Sequence, residues 1–437
     1  MKSISCVCAF GFTGMVAALA GGQPVVGPRV EVGGEAGAGT GYGGSLMERE
    51  RLLGSMWGRR DWMAEHGVTV ERTGVYTLQG VVSGGSAAGH DWGNLYTGNV
   101  VARLDTEKAD LWRGGFLTMR MQVRQGDAVI LRAGTVSPVN NAALLPLNEG
   151  ELGDNAWALP ELTFTQFLHP KFAVTGGLIN TAGGDANPIS GSLQSTSHFM
   201  NTGFVMSPVI VGQVPQSALG GGVIWKPTEK VTASLMAMGT EETAGTNPFT
   251  HYEGTTFFGE VDWEYEVGGK PGGMGLSGAY SVGQERLGIT RDPRVVLEEY
   301  EETGEVETKE DAWSVFWNGF QYVSGNEERG WGVFARLGFS DADPSPVSMH
   351  GSVGIGGTGL LPGRHRDRWG VGVYHQELSG HGLLGRLGLG SENGGEVFYS
   401  VSIARWMRLT LDAQYIDSAL PKVGHAMVVG TRLAVDF

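Results

Sequence analysis

From Thr255 to Val267 the chain reads TTFFGEVDWEYEV. Phe257, Val261, Trp263 and Tyr265 fall on one parity, and Glu260, Asp262, Glu264 and Glu266 on the other. A period of two is the signature of a β-strand, whose side chains alternate between faces. A soluble core has no place for a row of carboxylates on the inner face of one strand, because each unpaired buried charge costs several kcal/mol. The cost disappears if the greasy face meets lipid and the charged face lines water. Three further segments repeat the pattern. In Trp331–Ser340, Trp331, Val333, Ala335, Leu337 and Phe339 oppose Arg336. In Met407–Tyr415, Leu409, Leu411 and Tyr415 oppose Arg408, Asp412 and Gln414. In Phe116–Arg124, Met119, Met121 and Val123 oppose Arg120, Gln122 and Arg124. Strands between two solvents build the wall of a transmembrane β-barrel.

The chain's last residues, AMVVGTRLAVDF, alternate in the same way and stop on Phe437, on the greasy parity. Sixteen candidate strands can be marked from Val68 onward, roughly 68–82, 92–105, 115–124, 161–168, 171–178, 217–226, 230–239, 255–267, 273–282, 312–323, 331–340, 349–356, 368–377, 395–404, 406–416 and 426–437. The long connections follow the odd-numbered members of this set and the short ones follow the even-numbered members. Barrels of the outer membrane segregate long external loops from short periplasmic turns in this way. The expected fold is therefore all-β, a 16-stranded antiparallel transmembrane barrel over 68–437, with a short N-terminal helix and in-folded external loops. The last strand should pair with the first and close it.

The N-terminus reads as a processing signal. Lys2 precedes an apolar run from Ile4 to Leu19, and Ala18, Leu19 and Ala20 form a small-x-small site with cleavage expected after Ala20. Cys6 and Cys8, the 2 cysteines of the chain, lie inside residues 1–20. The mature chain then lacks thiols for disulfides, metal binding or catalysis. Residues 21–45 form a Gly/Ala-rich lead expected to be disordered, and 46–67 carry Leu46, Leu53, Trp57 and Trp62 at helical spacing. No apolar run after the N-terminus is long enough for a membrane helix. A net charge of −15 disfavours a nucleic-acid partner.

The order and spacing of several stretches resemble the carbohydrate-selective outer-membrane porins. They are WGRRDWMAEHGVTVERTGVYTLQGVVSGG (Trp57–Gly85), LDTEKADLWRGG (Leu104–Gly115), GLINTAGGDANPISGSLQSTSHFMNTGF (Gly177–Phe204), WGVFARLGFS (Trp331–Ser340) and GTGLLPGRHRDRWGVGVYHQELS (Gly357–Ser379). The resemblance implies a sixteen-stranded barrel whose long loops narrow a pore for small saccharides, in the outer membrane of a Gram-negative-type bacterium. The implied partners are those saccharides, the surrounding outer-membrane lipid, and the barrel-assembly machinery reached through the C-terminal strand. Members of the family often carry a basic residue near the start of Val174–Asn180, where this chain has VTGGLIN. Two other readings stay open: a general small-solute porin, and a non-conducting barrel that anchors the envelope.

Pore-lining candidates come from parity and from the second and third long loops. Arg120, Arg124, Arg336 and Arg432 project inward, as do Glu260, Asp262 and Asp412, which could pair with them across the lumen. In the loops, Trp157, Asn180, Asp185, Asn187, His198 and Asn201 could offer hydrogen bonds and an aromatic face to sugar hydroxyls, or could serve turns. The acidic run at 292–311, including Glu298, Glu299, Glu301, Glu302 and Glu310, matches no known calcium loop and reads as a solvated charge run. No G-x-S-x-G, H-E-x-x-H or P-loop is present, and the histidines His350, His365, His375, His381 and His425 are scattered. No enzyme and no cofactor or metal are expected, although a convergent triad would leave no such motif.

Overall fold

A chain that crosses lipid must satisfy its backbone N–H and C=O groups internally, and this one does so by closing a sheet on itself. The computed structural model describes residues 42–86, 92–147, 155–249, 252–287, 292–303, 308–380 and 382–437. The strands in chain order are β1 (Val68–Gly84), β2 (Trp92–Asp105), β3 (Gly115–Gly126), β4 (Ala156–His169), β5 (Phe172–Asn180), β6 (Ser217–Thr228), β7 (Val231–Gly239), β8 (Thr255–Val267), β9 (Lys270–Val282), β10 (Arg286–Leu287), β11 (Thr308–Lys309), β12 (Ala312–Gly325), β13 (Gly330–Ser340), β14 (Val347–Thr358), β15 (Arg368–Leu378), β16 (Ser391–Ala404), β17 (Met407–Asp417) and β18 (His425–Asp436). All except β10 and β11 join one closed antiparallel barrel of sixteen strands; those two form a separate ribbon. Each barrel strand pairs with its sequence neighbours, with β9 meeting β12 across the ribbon. Closure is made by β1 and β18, in a register that sets Thr73 opposite Asp436, Tyr76 opposite Leu433 and Gly80 opposite Val429.

The sixteen expected strands are all present, most with ends within about three residues. The largest difference is at β4, which starts at Ala156 rather than near 161. Pro160 lies where the β3–β4 register shifts between Arg120 and Gln122. Proline has no N–H for the ladder and is tolerated at such a bulge, so the strand continues past it. The expected helix over 46–67 is shorter than the spacing suggests. Only Arg59–Glu65 is helical, and the segment before it is a run of turns. That segment is held by contacts at the barrel seam: Leu52 N donates to Asp436 O (2.8 Å), Trp406 Nε1 donates to Leu46 O (2.7 Å), and Arg51 pairs with Glu71 (3.2 Å). Residues 1–20 and most of the 21–45 lead lie outside the described residues.

The two faces of the wall follow the parity read from the sequence. On β8, Phe257, Val261 and Trp263 are about half exposed on the outside, while Glu260 is 6% exposed. On β18, Met427 faces out while Val428 and Arg432 are fully buried. Aromatic rings mark both edges of the apolar belt. Trp225, Trp263, Trp331 and Trp369 lie toward the short turns, and Tyr280, Trp313, Phe339 and Tyr415 toward the long loops, as interface-seeking rings do. The inner face is not uniformly wet. The described part of the second external loop, 127–147, and the third, 181–216, fold into the barrel and carry their own core. Phe199 stacks on Phe204 (centroids 4.6 Å apart) and meets Phe334 of β13 (5.4 Å) and Phe398 of β16 (4.8 Å) edge-on, and Phe204 meets Tyr374 of β15 (5.5 Å). One side of the lumen is thus filled with packed side chains, and what stays open lies opposite.

Candidate functional site

A loop without regular structure that enters a barrel leaves backbone groups with no partner, and each must be satisfied or cost free energy. The wall supplies those partners through buried charges. Arg124 of β3 donates to the carbonyl oxygens of Ala143 (2.7 Å) and Pro146 (3.2 Å). Arg432 of β18 donates to His198 O (2.6 Å) and to Asn141 Oδ1 (3.0 Å). Arg336 of β13 forms an ion pair with Asp185 and also donates to Asp185 O (2.9 Å) and Gly191 O (3.2 Å). Carboxylates do the converse. Glu392 of β16 accepts from the consecutive amides of Val136 (2.6 Å) and Ser137 (2.8 Å), and Glu396, two repeats of the pleat further on, accepts from those of Met200 (2.6 Å) and Asn201 (2.8 Å). Gln414 of β17 donates to Val139 O (2.9 Å) and accepts from Asn201 Nδ2 (3.1 Å). Charge-assisted bonds of this kind are roughly twice as strong as neutral ones.

The space these ties leave is a cavity of about 510 Å³ between the inner faces of β3–β9 and the third loop. Arg120 of β3 and Glu161 of β4 face it as an ion pair at 2.9 Å. Asp262 of β8 lies on the same wall, and Asn180, Asn187, Gln194 and His198 form the loop side. Toward the short turns the cavity reaches Lys171, Lys226, Glu229 and Lys230, which places its mouth on the periplasmic side. A smaller cavity of about 180 Å³ lies between β1–β3 and the same loops and shares Gln194 and Ser195 with the first. The loop amides are partly committed. Asn180 Oδ1 accepts from Ala182 N (2.9 Å) and Gln194 Nε2 (3.1 Å), while its Nδ2 is buried with no partner. Asn187 Nδ2 donates to Asn318 Oδ1 (2.8 Å) and its Oδ1 caps the amides of Ile189 and Ser190. The His198 imidazole contacts Arg368 at 2.9 Å, and burial, followed by the charges of Arg368 and Arg432, holds its pKa well below the usual histidine value. Arg368 can only donate, so Nε2 accepts and Nδ1 carries the ring proton, facing Ser197 Oγ at 3.4 Å.

The sequence candidates therefore divide. Arg120, Asn180, Asp262, Asn187 and His198 border the open cavity. Arg124, Arg336 and Arg432 point inward as expected, yet they bind loop carbonyls rather than lining free space, and the loop residues Asp185 and Asn201 are taken up by Arg336 and Gln414 of the wall. Asn201 caps the short helix Thr202–Val205 by accepting from Gly203 N. Glu260 is buried beside Asp262, and Asp412 beside Glu396 and Gln414. Trp157 is the correction: it is 72% exposed on the outer face, in register with outward Val123, and offers no ring to the lumen. It belongs to the part of β4 before Pro160, which looks like loop in the sequence. The residues missed were Glu161, Gln194, Glu392 and Glu396. Inward parity on the expected strands 161–168 and 395–404 already points to Glu161 and Glu396, and its extension to the true start of β16 adds Glu392. The acidic run carries the helix Pro293–Thr303. Among the described residues no group of three or more His, Cys, Asp or Glu is placed to hold a metal ion.

A closed barrel with an apolar belt outside, charged and polar groups inside and loops folded into its lumen defines a membrane channel of the porin class. A family model described as the carbohydrate-selective porin, OprB family, matches residues 89–437. The chain belongs to that family: it is a carbohydrate porin of the Gram-negative outer membrane, a channel and not an enzyme. Two solved structures of Pseudomonas putida OprB share its fold. The high-pH form is 20% identical with a TM-score of 0.78, covering 90% of this chain and 100% of that one. The low-pH form is 17% identical with a TM-score of 0.57, covering 89% and 98%. No individually curated protein matches the chain.

Proposed function

We propose that small neutral saccharides diffuse through the β3–β9 side of the lumen, past Arg120, Glu161, Asn180 and Asp262. The observation that carries this reading is the composition of the open cavity. Its lining mixes both signs, Arg120, Lys171, Lys226 and Lys230 against Glu161, Glu229, Asp262, Glu264 and Glu327, with Arg120 and Glu161 paired at 2.9 Å, and the facing loop offers amides. Paired charges and amides give a solute with many hydroxyls both donors and acceptors without a strong net field. An anion or cation gains little there. The test is liposome swelling with sugars of graded size, beside amino acids of like size. Faster entry of the sugars supports the reading; equal or faster entry of amino acids favours a general porin, and no swelling by any monosaccharide favours a structural barrel. Arg120→Ala breaks the pair and leaves Glu161 facing the path, so the expected outcome is slower sugar entry with a shift toward cation selectivity.

The same reading includes export with cleavage after Ala20, a mature lead over 21–45, lipid around the apolar belt, and recognition of the C-terminal strand by the barrel-assembly machinery. Arg124, Asp185, Asn201, Arg336 and Arg432 belong to it as residues that set the bore by holding the loops, and Glu260 as a buried inward carboxyl beside Asp262. N-terminal sequencing of the membrane-extracted protein tests the cleavage: a first residue other than Gly21 contradicts it.

A further inference from the structure

Glu260 of β8 is enclosed without a cationic partner. It is 6% exposed, makes no ion pair among the described residues, and has the acids Asp262 and Asp185 as its charged neighbours. Asp185 is already taken by Arg336. Glu260 Oε2 is buried with no hydrogen-bond partner, and so is the hydroxyl oxygen of Ser234 on β7. Buried polar atoms are rarely left unsatisfied in a folded protein, so each of these needs an explanation.

The strand register gathers further oxygens around them. Ser234 of β7 and Ser277 of β9 stand directly opposite Glu260, one on each side, and Ser277 is also buried. Side chains of opposite residues in a sheet start roughly 5 Å apart. Asp262, one repeat of the pleat nearer the periplasm, stands opposite Gly275 of β9. A Cβ on Gly275 would sit 2.7 Å from Asp262 Oδ1 and 3.8 Å from Glu260 Oε1, so both carboxyls border the space that this glycine leaves. Ser234, Asp262 and Gly275 also line the 510 Å³ cavity, which gives the space a route to water. Two carboxylates this close cannot both stay ionised without a positive charge between them. The donor set is all oxygen, with neither histidine nor cysteine, which selects a hard cation over a transition metal. Calcium accepts irregular sets of carboxylate oxygens, other protein oxygens and water, whereas magnesium demands a near-ideal octahedron.

We propose that Glu260, Asp262, Ser234 and Ser277 hold one divalent cation of the calcium class in the lumen wall, beside the solute path. The two carboxylates balance its charge, and water from the cavity completes its shell. The ion leaves the wall near neutral where Asp262 meets the path. The site is therefore compatible with the passage of uncharged saccharides and does not depend on it.

The test uses the full barrel in detergent, stripped with EDTA and titrated calorimetrically with calcium chloride. Glu260→Gln keeps the shape and removes one charge; Gly275→Ala puts a methyl group where the Asp262 carboxyl lies. Both variants should bind calcium at this site at least roughly tenfold more weakly than the wild type. In planar bilayers with a potassium chloride gradient, EDTA should shift the wild-type reversal potential toward cation selectivity, and the shift should vanish in Glu260→Gln. Equal calcium binding in wild type and variants overturns the proposal and assigns the ions to surface carboxylates such as those of Pro293–Thr303. Sodium matching the effect of calcium at equal ionic strength overturns it as well. So does the absence of calcium binding, which would leave a proton shared by the two carboxyls in place of the ion. If Glu260→Gln does not fold, Gly275→Ala, where only the end of the Asp262 side chain must move, decides the question. Liposome swelling with sugars tests the saccharide reading separately, and its failure would leave calcium binding untouched.

Discussion

At the scale of single residues the buried charges hold loops in place. Arg336 is the sharpest case, since its side chain and that of Asp185 are fully enclosed. Removing one partner of a buried pair strands the other, at a cost of about 3–5 kcal/mol. Arg336→Ala should lower the unfolding temperature and give larger, noisier single-channel currents as the third loop loosens. Unchanged currents would show that the loop is held elsewhere. Glu392→Gln should act on the second loop, because a carboxamide has one oxygen to offer the two amides of Val136 and Ser137; the unsatisfied amide costs about 1–3 kcal/mol. At the periplasmic turn, burial alone would raise the carboxyl of Asp367. The hydrogen bonds from Arg364 Nε (2.8 Å), Ser402 N (2.9 Å) and Tyr399 OH (2.8 Å), with the Arg364 charge, outweigh it and hold the pKa below the usual value. A carboxyl depressed on folding contributes stability above its unfolded pKa, and that contribution is lost as pH falls through the folded value. The barrel should lose stability in that acid range, and Asp367→Asn should flatten this part of the unfolding-temperature profile. A profile unchanged by the substitution contradicts the assignment.

Among the elements, β5 and β18 carry the clearest predictions. The family resemblance leads one to expect a basic residue near the start of Val174–Asn180, and β5 offers a physical reason for its absence at one position. Gly177 has φ of +126°, and a Cβ on it would run into the carbonyl oxygen of Leu162. Gly177→Ala should cost at least the roughly 1–2 kcal/mol of a left-handed L-residue and reduce the folded fraction, read as heat-modifiable migration. In β18, Val435 and Phe437 face lipid, and Phe437 N donates to Arg72 O (2.8 Å) while its ring lies under the Arg72 guanidinium at 4.9 Å. Deleting Val435–Phe437 opens part of the seam, and unpaired backbone in lipid is costly. The deletion should cut outer-membrane abundance far more than it alters the conductance of surviving channels. Arg432→Ala should do the reverse, with normal abundance and altered currents, now because its bonds to His198 O and Asn141 are lost. The opposite pattern would mean that the facing of β18 is wrong.

For the whole molecule, the filled side and the open side of the lumen act as one unit. The aromatic core around Phe199 and Phe204 blocks the β13–β16 side, so the bore is set by how firmly the loops are tied there. Phe204→Ala should remove part of that packing, by analogy with core truncations that cost about 3–5 kcal/mol. The expected readout is a wider conductance distribution and faster swelling with disaccharides, with monosaccharide entry less affected. Identical size selectivity would contradict a bore set by this core.

The sequence alone determined the strands, their facing, the loop asymmetry and the closure, because alternation is local and lipid on one side with water on the other imposes it residue by residue. Glu260, Asp262 and Arg336 declare their face through their nearest neighbours. It could not decide that Arg124, Arg336 and Arg432 are committed to loop carbonyls, or that Glu392 and Glu396 clamp loop amides. Those bonds join residues up to 291 positions apart and exist only once the barrel has closed. Trp157 was misjudged for a local reason of the same kind: the bulge beside Pro160 fixes its facing, and that bulge is set by pairing with β3. Where the open path lies was likewise left to tertiary structure, since it depends on which half of the wall the loop aromatics pack against.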